Sequence, residues 1–285
     1  MDEIDFNVRA ALTTDRSRLA NLIHFSPYIH QHLDWKSPLD WIGSKPYLLI
    51  AKGGDILSAL ACPPDLPGIT WIRLFAVNSN INLRYAWDML WRATRIELSQ
   101  IGRISVAAIS LQGWFNELLR ESKFEHTDDV VVLMWNRDTS IPDPSLKNIQ
   151  VRPMLLEDMR IVEKIDHDAF VTIWQNSIEA LELAFQQSSL ATVAELDEEI
   201  IGYQFSTSSP MGSHLARLAV KTTMQGKGVG YLLVHQVLKQ FERQGVKNVT
   251  VNTQKSNTVS LALYLKAGFN LTGESYQVLQ HNVDR

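Results

Sequence analysis

Between an apolar run, Leu215 to Val220, and an amphipathic segment opening with Tyr231-Leu232-Leu233-Val234, the chain reads Gln225-Gly226-Lys227-Gly228-Val229-Gly230. A glycine-spaced turn between a strand and a helix aims several unpaired backbone N–H groups at one point. The positive end of the helix dipole is added there. Glycine suits such a turn because a side chain would keep an oxyanion away from the backbone. The implied ligand carries phosphate. The alternative is a tight turn and nothing more. The pattern is not Gly-x-Gly-x-x-Gly, the dinucleotide fingerprint, and it lacks the Gly-Lys-Ser/Thr of a Walker loop.

With 285 residues the chain is long enough for one large domain or two of ordinary size. Apolar residues make up 45% and charged residues 20%, which supports buried cores and excludes a disordered chain. A net charge of -4, with no Lys/Arg cluster, argues against a nucleic-acid partner. Cys62 is the only cysteine, so no internal disulfide forms and no cysteine metal site is expected. His30-Gln31-His32 lacks a third ligand and reads as a loop with two exposed imidazoles, so no metal is expected there either. The acidic start, Met1 to Asp5, lacks a secretory core, and no run is long enough to span a bilayer. The expectation is a soluble cytoplasmic protein with no membrane partner.

Asp138 to Lys147 is polar and holds Pro142 and Pro144, each of which turns its predecessor away from helix. It reads as a linker (139–147) between domains at 1–138 and 148–285. The second half alternates strand and helix signals. Strand Ile149 to Arg152, helix Glu157 to His167 and helix Ser177 to Phe185 come first. A hairpin turning at Leu196-Asp197-Glu198 follows, then strand Ser213 to Val220 and helix Gly228 to Arg243. Strand Val246 to Asn252, helix Asn257 to Lys266 and a strand region from Phe269 complete it. The expected class is α/β (α+β), a mixed and mostly antiparallel sheet flanked by helices in each half.

The first half repeats this order. Leu215 to Val220 lies over Ile72 to Val77, and Gly230 to Leu233 lies over Trp87 to Leu90. Leu263-Tyr264 to Phe269 lies over Leu118-Leu119 to Phe124. The apolar pattern persists while the glycines do not: Asn82, Tyr85 and Trp87 stand where Gln225, Gly228 and Gly230 would be. Tyr85 and Trp87 would crowd out a diphosphate. Each half leaves only a short stretch after its phenylalanine (Phe124, Phe269), too little for two full final strands, so the halves are expected to share or trade one.

Three further features accompany the glycine turn. Asn257 stands where a helix would be N-capped. Tyr264 follows seven residues later on roughly the same helical face. Ala267-Gly268-Phe269 stops that helix. Each also has a purely structural reading. Together they resemble the GNAT superfamily of acetyl-CoA-dependent N-acyltransferases, with the match running from about Ile149 to Val283. The resemblance implies two GNAT-like domains in tandem, the first degenerate, packed as an internal pseudo-dimer that a homo-oligomer would extend.

What the resemblance implies can be placed on this sequence. Backbone amides of Gln225, Gly226, Lys227, Gly228, Val229 and Gly230 would hold the diphosphate of coenzyme A, with the Lys227 side chain adding charge or simply standing in solvent. Leu218, Ala219 and Val220 would receive the pantetheine arm like an added strand, and Val220 N–H would polarise the thioester carbonyl. Asn257 would bond the arm from the far side of a splayed gap, and Tyr264 would act as general acid. The implied reaction is direct acetyl transfer to a primary amine in a ternary complex. A coenzyme A sensor without turnover is the alternative. The family's glutamate on the fourth strand is missing here; His214 titrates in the right range to serve as base, and Glu195 is a second candidate. Arg217 reads either as a receptor for an acceptor carboxylate or as a solvent-facing side chain. Phe170 and Trp174 read either as core or as acceptor-site lining.

Overall fold

The computed structural model describes residues 6–284 apart from Asp138, Ser140, Lys147 and Met211. The acidic start and those three linker positions therefore lie outside the described residues. The chain forms two compact units. The first runs to Thr127 and resumes at Gln277; the second is Asp128–Tyr276. The linear boundaries 1–138 and 148–285 thus fail at both ends, for a reason that lies in two long strands.

In the first unit β1 (Asn7–Ala10), α1 (Arg16–Phe25), β2 (Tyr28–Gln31), β3 (Tyr47–Lys52) and β4 (Asp55–Ala61) are followed by the short β5 (Pro64–Leu66). Then come β6 (Ile69–Trp71), β7 (Leu74–Val77), α2 (Leu83–Ile101), β8 (Ile104–Ser110) and α3 (Gly113–Glu121). One sheet has the order β1-β3-β4-β7-β2, antiparallel throughout. β6 runs parallel to β8, Ile69 to Trp71 against Ser105 to Ala107. Helix α2 turns Trp87, Leu90, Trp91 and Leu98 inward, the three-and-four spacing of an apolar stripe.

The twelve-residue β9 (Glu125–Asn136) leaves the first half after Phe124. It contains no glycine or proline on which to fold back, and at this length it outruns a typical strand. Its later part, Val130 to Asn136, pairs antiparallel with Gln254 to Asn248 in the second unit.

The second unit continues with β10 (Gln150–Pro153), α4 (Met159–Ala169), α5 (Ile178–Gln187), β11 (Leu190–Leu196) and β12 (Glu199–Ser209). Then follow β13 (Gly212–Val220), α6 (Val229–Arg243), β14 (Asn248–Gln254), α7 (Thr258–Lys266) and β15 (Asn270–Val283). Its strand order is β10-β11-β12-β13-β14-β9. β11 and β12 are joined through Asp197 and Glu198, both at positive φ (50° and 66°), the mirror-type turn whose twist suits a hairpin. α6 buries Val229, Leu233, Val237 and Phe241 among others, and Gly245 at φ 82° ends it. The tail of β15, Gln277 to Val283, pairs with Ser110 to Ile104 of β8 in the first unit. The two halves therefore trade their final strands, as the shortage of residues after Phe124 and Phe269 required. Each supplies one long strand where two short ones would otherwise be needed.

A repeat missed in the sequence supports duplication. Arg9 pairs with Asp15 at 2.6 Å and Asp15 accepts from Leu12 N; Arg152 pairs with Asp158 at 2.7 Å and Asp158 accepts from Leu155 N. The same strand-to-helix corner is built twice.

Candidate active site

The strand that leads to the glycine turn separates from its neighbour. β13 runs parallel to β14 only at Ser213–Val249, His214–Thr250 and Leu215–Val251. Just beyond, β13 carries a bulge against β12: Phe205 faces Arg217 while Ser206 faces Leu215, leaving Ala216 unpaired. A bulge bends and twists its strand, and here it turns β13 away from β14 at the last shared pair. A gap opens from Ala216 to Val220.

The backbone register says which groups face that gap. Lys221 N donates to Ile201 O at 2.9 Å, and the next pairs are Val220–Gly202, Ala219–Tyr203 and Leu218–Gln204. Alternate residues of an antiparallel pair bond the partner strand, so Ala219 bonds β12, whereas Leu218 and Val220 present their N–H and C=O to the open edge. Ala219, grouped above with the cofactor residues, thus offers no main-chain group to the gap. Gln225 Nε2 donates to Val220 O at 3.1 Å, bolting the turn to the strand end.

In the turn, Gly226 and Gly228 take φ of 73° and 89°, a region that favours glycine. Gly228 is the N-cap of α6 and no side chain caps the helix. The first α6 amides therefore have no side-chain acceptor, at a helix start where Leu146 Cδ1 lies 3.4 Å from the place of a Gly228 Cβ, beside the dipole's positive end. Lys227 is exposed, its Nζ 3.6 Å from Met224 Sδ and without an acidic partner among the described residues. Val229 buries its side chain. Gly230 serves packing instead. A Cβ there would come within 3.2 Å of Leu263 Cδ2, so its hydrogen lets α7 pack against α6.

Across the gap, Asn257 Oδ1 accepts from Ser260 N at 3.1 Å and caps α7. Tyr264 is buried beside Phe269, with ring centroids 5.7 Å apart. Burial raises its pKa well above the usual phenol range, with the Arg217 charge acting in the opposite sense. At neutral pH it holds its proton, as a general acid must. His214 Nδ1 lies 2.9 Å from Thr250 Oγ1, whose hydroxyl is directed at Ser213 O at 3.4 Å. In the tautomer whose Nδ1–H donates to that hydroxyl, Nε2 keeps its lone pair. Burial lowers the His214 pKa from its ordinary value of 6.5, so the ring is neutral at pH 7. Glu195 is held by Arg152 at 2.8 Å on the far strands and is not free to act as base.

The sequence reading missed the polar centre of this half. Asp166, fully buried on α4, accepts from Arg217 Nε and Nη2 at 2.8 and 2.6 Å and from the Tyr203 hydroxyl. Its other oxygen accepts from Asn176 N at 3.0 Å. Arg217 Nη2 also donates to Trp174 O at 2.6 Å, and the guanidinium lies 3.7 Å over the Phe170 ring. Arg217 is thus neither a free carboxylate receptor nor a solvated side chain. Only a charged residue in the middle of an amphipathic helix, Asp166 among Val162 and Ile165, hinted at it.

Residues 156–280 match the Acetyltransferase (GNAT) domain family. A peptidyl-lysine N-acetyltransferase, YjaB of Salmonella typhimurium, is 28% identical over 110 residues, 38% of this chain and 70% of that protein. An uncharacterized N-acetyltransferase of Methanocaldococcus jannaschii, MJ1530, is 25% identical over 120 residues, 42% of this chain and 76% of its own. The chain carries a GNAT acetyltransferase domain. Two solved structures extend the fold over both halves. A GCN5-related N-acetyltransferase from Sphaerobacter thermophilus superposes with TM-score 0.65 at 17% identity, covering 98% of this chain and 96% of that one. A tandem GNAT protein from the clavulanic acid biosynthesis pathway does so with TM-score 0.65 at 11% identity, covering 99% of each.

The first half repeats the layout of the second without its opening. β6 and β8 part after Trp71, one residue before Ile72, which aligns with Leu215, but the vacated edge of β7 is taken by β2, with His30 opposite Phe75 and Gln31 opposite Leu74. Asn82 Oδ1 accepts from Tyr85 N at 3.1 Å and so caps α2. Trp87 is buried with its Nε1 on Ser122 Oγ at 2.7 Å. His30-Gln31-His32 is therefore not an exposed loop. His30 is 3% exposed and stacked 4.0 Å from Phe115, and burial lowers its pKa from 6.5 to about 4. Among the described residues no cluster of metal-binding side chains forms, and no helix is long and apolar enough to cross a membrane.

Proposed function

We propose that the second half transfers an acetyl group from acetyl-CoA to a primary amine, directly, with both substrates bound together. The carrying observation is the open edge of Leu218 and Val220 ending in an uncapped, glycine-turned helix start. An extended arm with amide groups fits the first, and a diphosphate fits the second. When bound, the coenzyme supplies a thioester carbonyl and a thiol leaving group.

The residues divide the work. Amides of the turn from Gly226 onward hold the diphosphate, and Lys227 adds a mobile positive charge. Leu218 and Val220 orient the arm, with Val220 N–H directed at the thioester oxygen where charge develops. Asn257 spends its carbonyl oxygen on the helix cap and has its amide nitrogen left for the arm. A C–N bond forms as the C–S bond breaks. His214 stands six residues before Val220 on the same strand, about 20 Å along it, so the proton the amine loses reaches its Nε2 over a relay of several waters, and Tyr264 gives its proton to the departing sulfur. Cys62 offers no covalent route: it is buried in the first unit with its thiol pushed up to about 12 by burial.

Initial-rate kinetics test this reading. Varying acetyl-CoA at several fixed amine concentrations should give intersecting double-reciprocal lines. Parallel lines would mean an acetylated enzyme and would remove direct transfer. Coenzyme A binding without turnover of any amine would leave a sensor instead.

A further inference from the structure

One face of β13 is closed to an acceptor. Leu218 and Val220 pack toward α6 and α7, where Leu233 and Leu263 complete the wall. An amine reaching the gap must come over the other face, the one that carries Arg217. That face has an unusual electrostatic make-up. The Arg217 charge is matched by Asp166, which is fully buried, so the pair presents no net charge. Arg217 Nε and Nη2 are occupied; Nη1 makes no hydrogen bond among the described residues.

Around it the α4–α5 turn is locked. Gln175 Nε2 donates to the carbonyls of His167 and Phe170 at 3.0 and 2.9 Å, and Arg217 holds Trp174 O. The turn shows solvent Phe170 in part and Val171 at 69% exposure. The turn therefore offers Phe170 and Val171 as apolar contacts beside one N–H donor belonging to a neutralised pair, with Asp168 and Thr172 exposed on either side. A free carboxylate would meet no net positive charge. A polyamine would find Asp166 already spent.

We infer that the acceptor is a peptide-like amine: one that carries an uncharged amide carbonyl for Arg217 Nη1 and an apolar group to lie against Phe170 and Val171. This rests on the acetyl-transfer reading above and narrows its substrate class. Arg217 would then set specificity and would not act on the reacting atoms.

The test compares four amines with acetyl-CoA and the full chain: phenylalaninamide, phenethylamine, phenylalanine and spermidine. One hydrogen bond to a fixed donor is worth about tenfold in kcat/KM. Phenylalaninamide should exceed phenethylamine by roughly that factor and should exceed phenylalanine and spermidine by at least as much. In Arg217→Lys, which keeps a cation for Asp166 but loses Nη1, the amide-to-amine ratio should fall to about one, chiefly through KM, with coenzyme A affinity unchanged by calorimetry. If that variant does not fold, the wild-type ratios alone decide. Equal rates for phenylalaninamide and phenethylamine would overturn the inference, as would preference for phenylalanine or spermidine. So would failure of all four amines on an enzyme that binds the coenzyme. Failure to bind the coenzyme at all would instead strike the acetyl-transfer reading.

Discussion

The two halves meet the same structural problem and answer it in opposite ways. Each has a strand that parts from its parallel neighbour after a short pairing, at Trp71 and at Leu215. In the first half the vacated edge is refilled by the chain itself, through β2, and the following helix is capped by Asn82. In the second half the edge stays open and the helix begins at a left-handed glycine without a side-chain cap. Backbone donors left unpaired are costly unless water or a ligand serves them. The first half has removed that cost by closing its slot; the second has kept it, which is what the proposed coenzyme site requires. The difference teaches that an edge of this kind can be closed without disturbing the fold. It needs only a strand and a cap.

The largest effect should come from closing the open slot in the manner of the closed one. Gly228→Trp places a bulky residue at a φ of 89° and over the uncapped amides, so coenzyme A binding by calorimetry should be lost. Unchanged affinity would show that the diphosphate lies elsewhere.

Next is Tyr264→Phe, which leaves the packing with Phe269 and removes the proton donor. It should lower kcat by roughly 10²-fold to 10⁴-fold while coenzyme A affinity holds. A kcat near the wild-type value would return Tyr264 to the core.

His214 predicts a pH dependence of smaller span. Its pKa lies below 6.5, so the neutral base is in place at pH 7 and kcat/KM should fall on acidification through that lower value. His214→Gln should slow turnover and abolish this acid limb. A limb that persists in the variant belongs to another group.

His30 sharpens the other side of the comparison, since it sits on the strand that fills the first slot. Its folded pKa is about 4, against 6.5 for an ordinary imidazole. Between those values the unfolded chain takes up a proton that the folded one refuses. Stability is therefore lost as pH falls from 6.5 toward 4, by about 3 kcal/mol at most, and levels off below. Thermal melts across that window should flatten in His30→Gln. The smallest effect is Asn82→Ala, which uncaps α2 at a cost of about 1 kcal/mol and should create no second coenzyme site.

Much of this was legible in the sequence because it lies in local backbone rules. The glycine turn, the hairpin at Asp197-Glu198 and the Asn257 cap each depend on neighbours within a few residues. Even the traded strands announced themselves as a shortage of chain after Phe124 and Phe269. What stayed hidden depends on long-range pairing. Nothing near His30 says that its strand would fill the edge of β7, and nothing near Asp166 names Tyr203 or Arg217 as partners. The parting of β13 from β14 is written only in the bulge at Ala216, which a strand pattern cannot show.

The most direct measurement is the number of coenzyme A molecules bound per chain, taken by calorimetry on the full-length wild-type protein. An open slot in one half and a filled one in the other give a stoichiometry of one. A value of two would mean that β2 yields its place, and a value of zero would mean that the exposed edge of Leu218 and Val220 is not a coenzyme site.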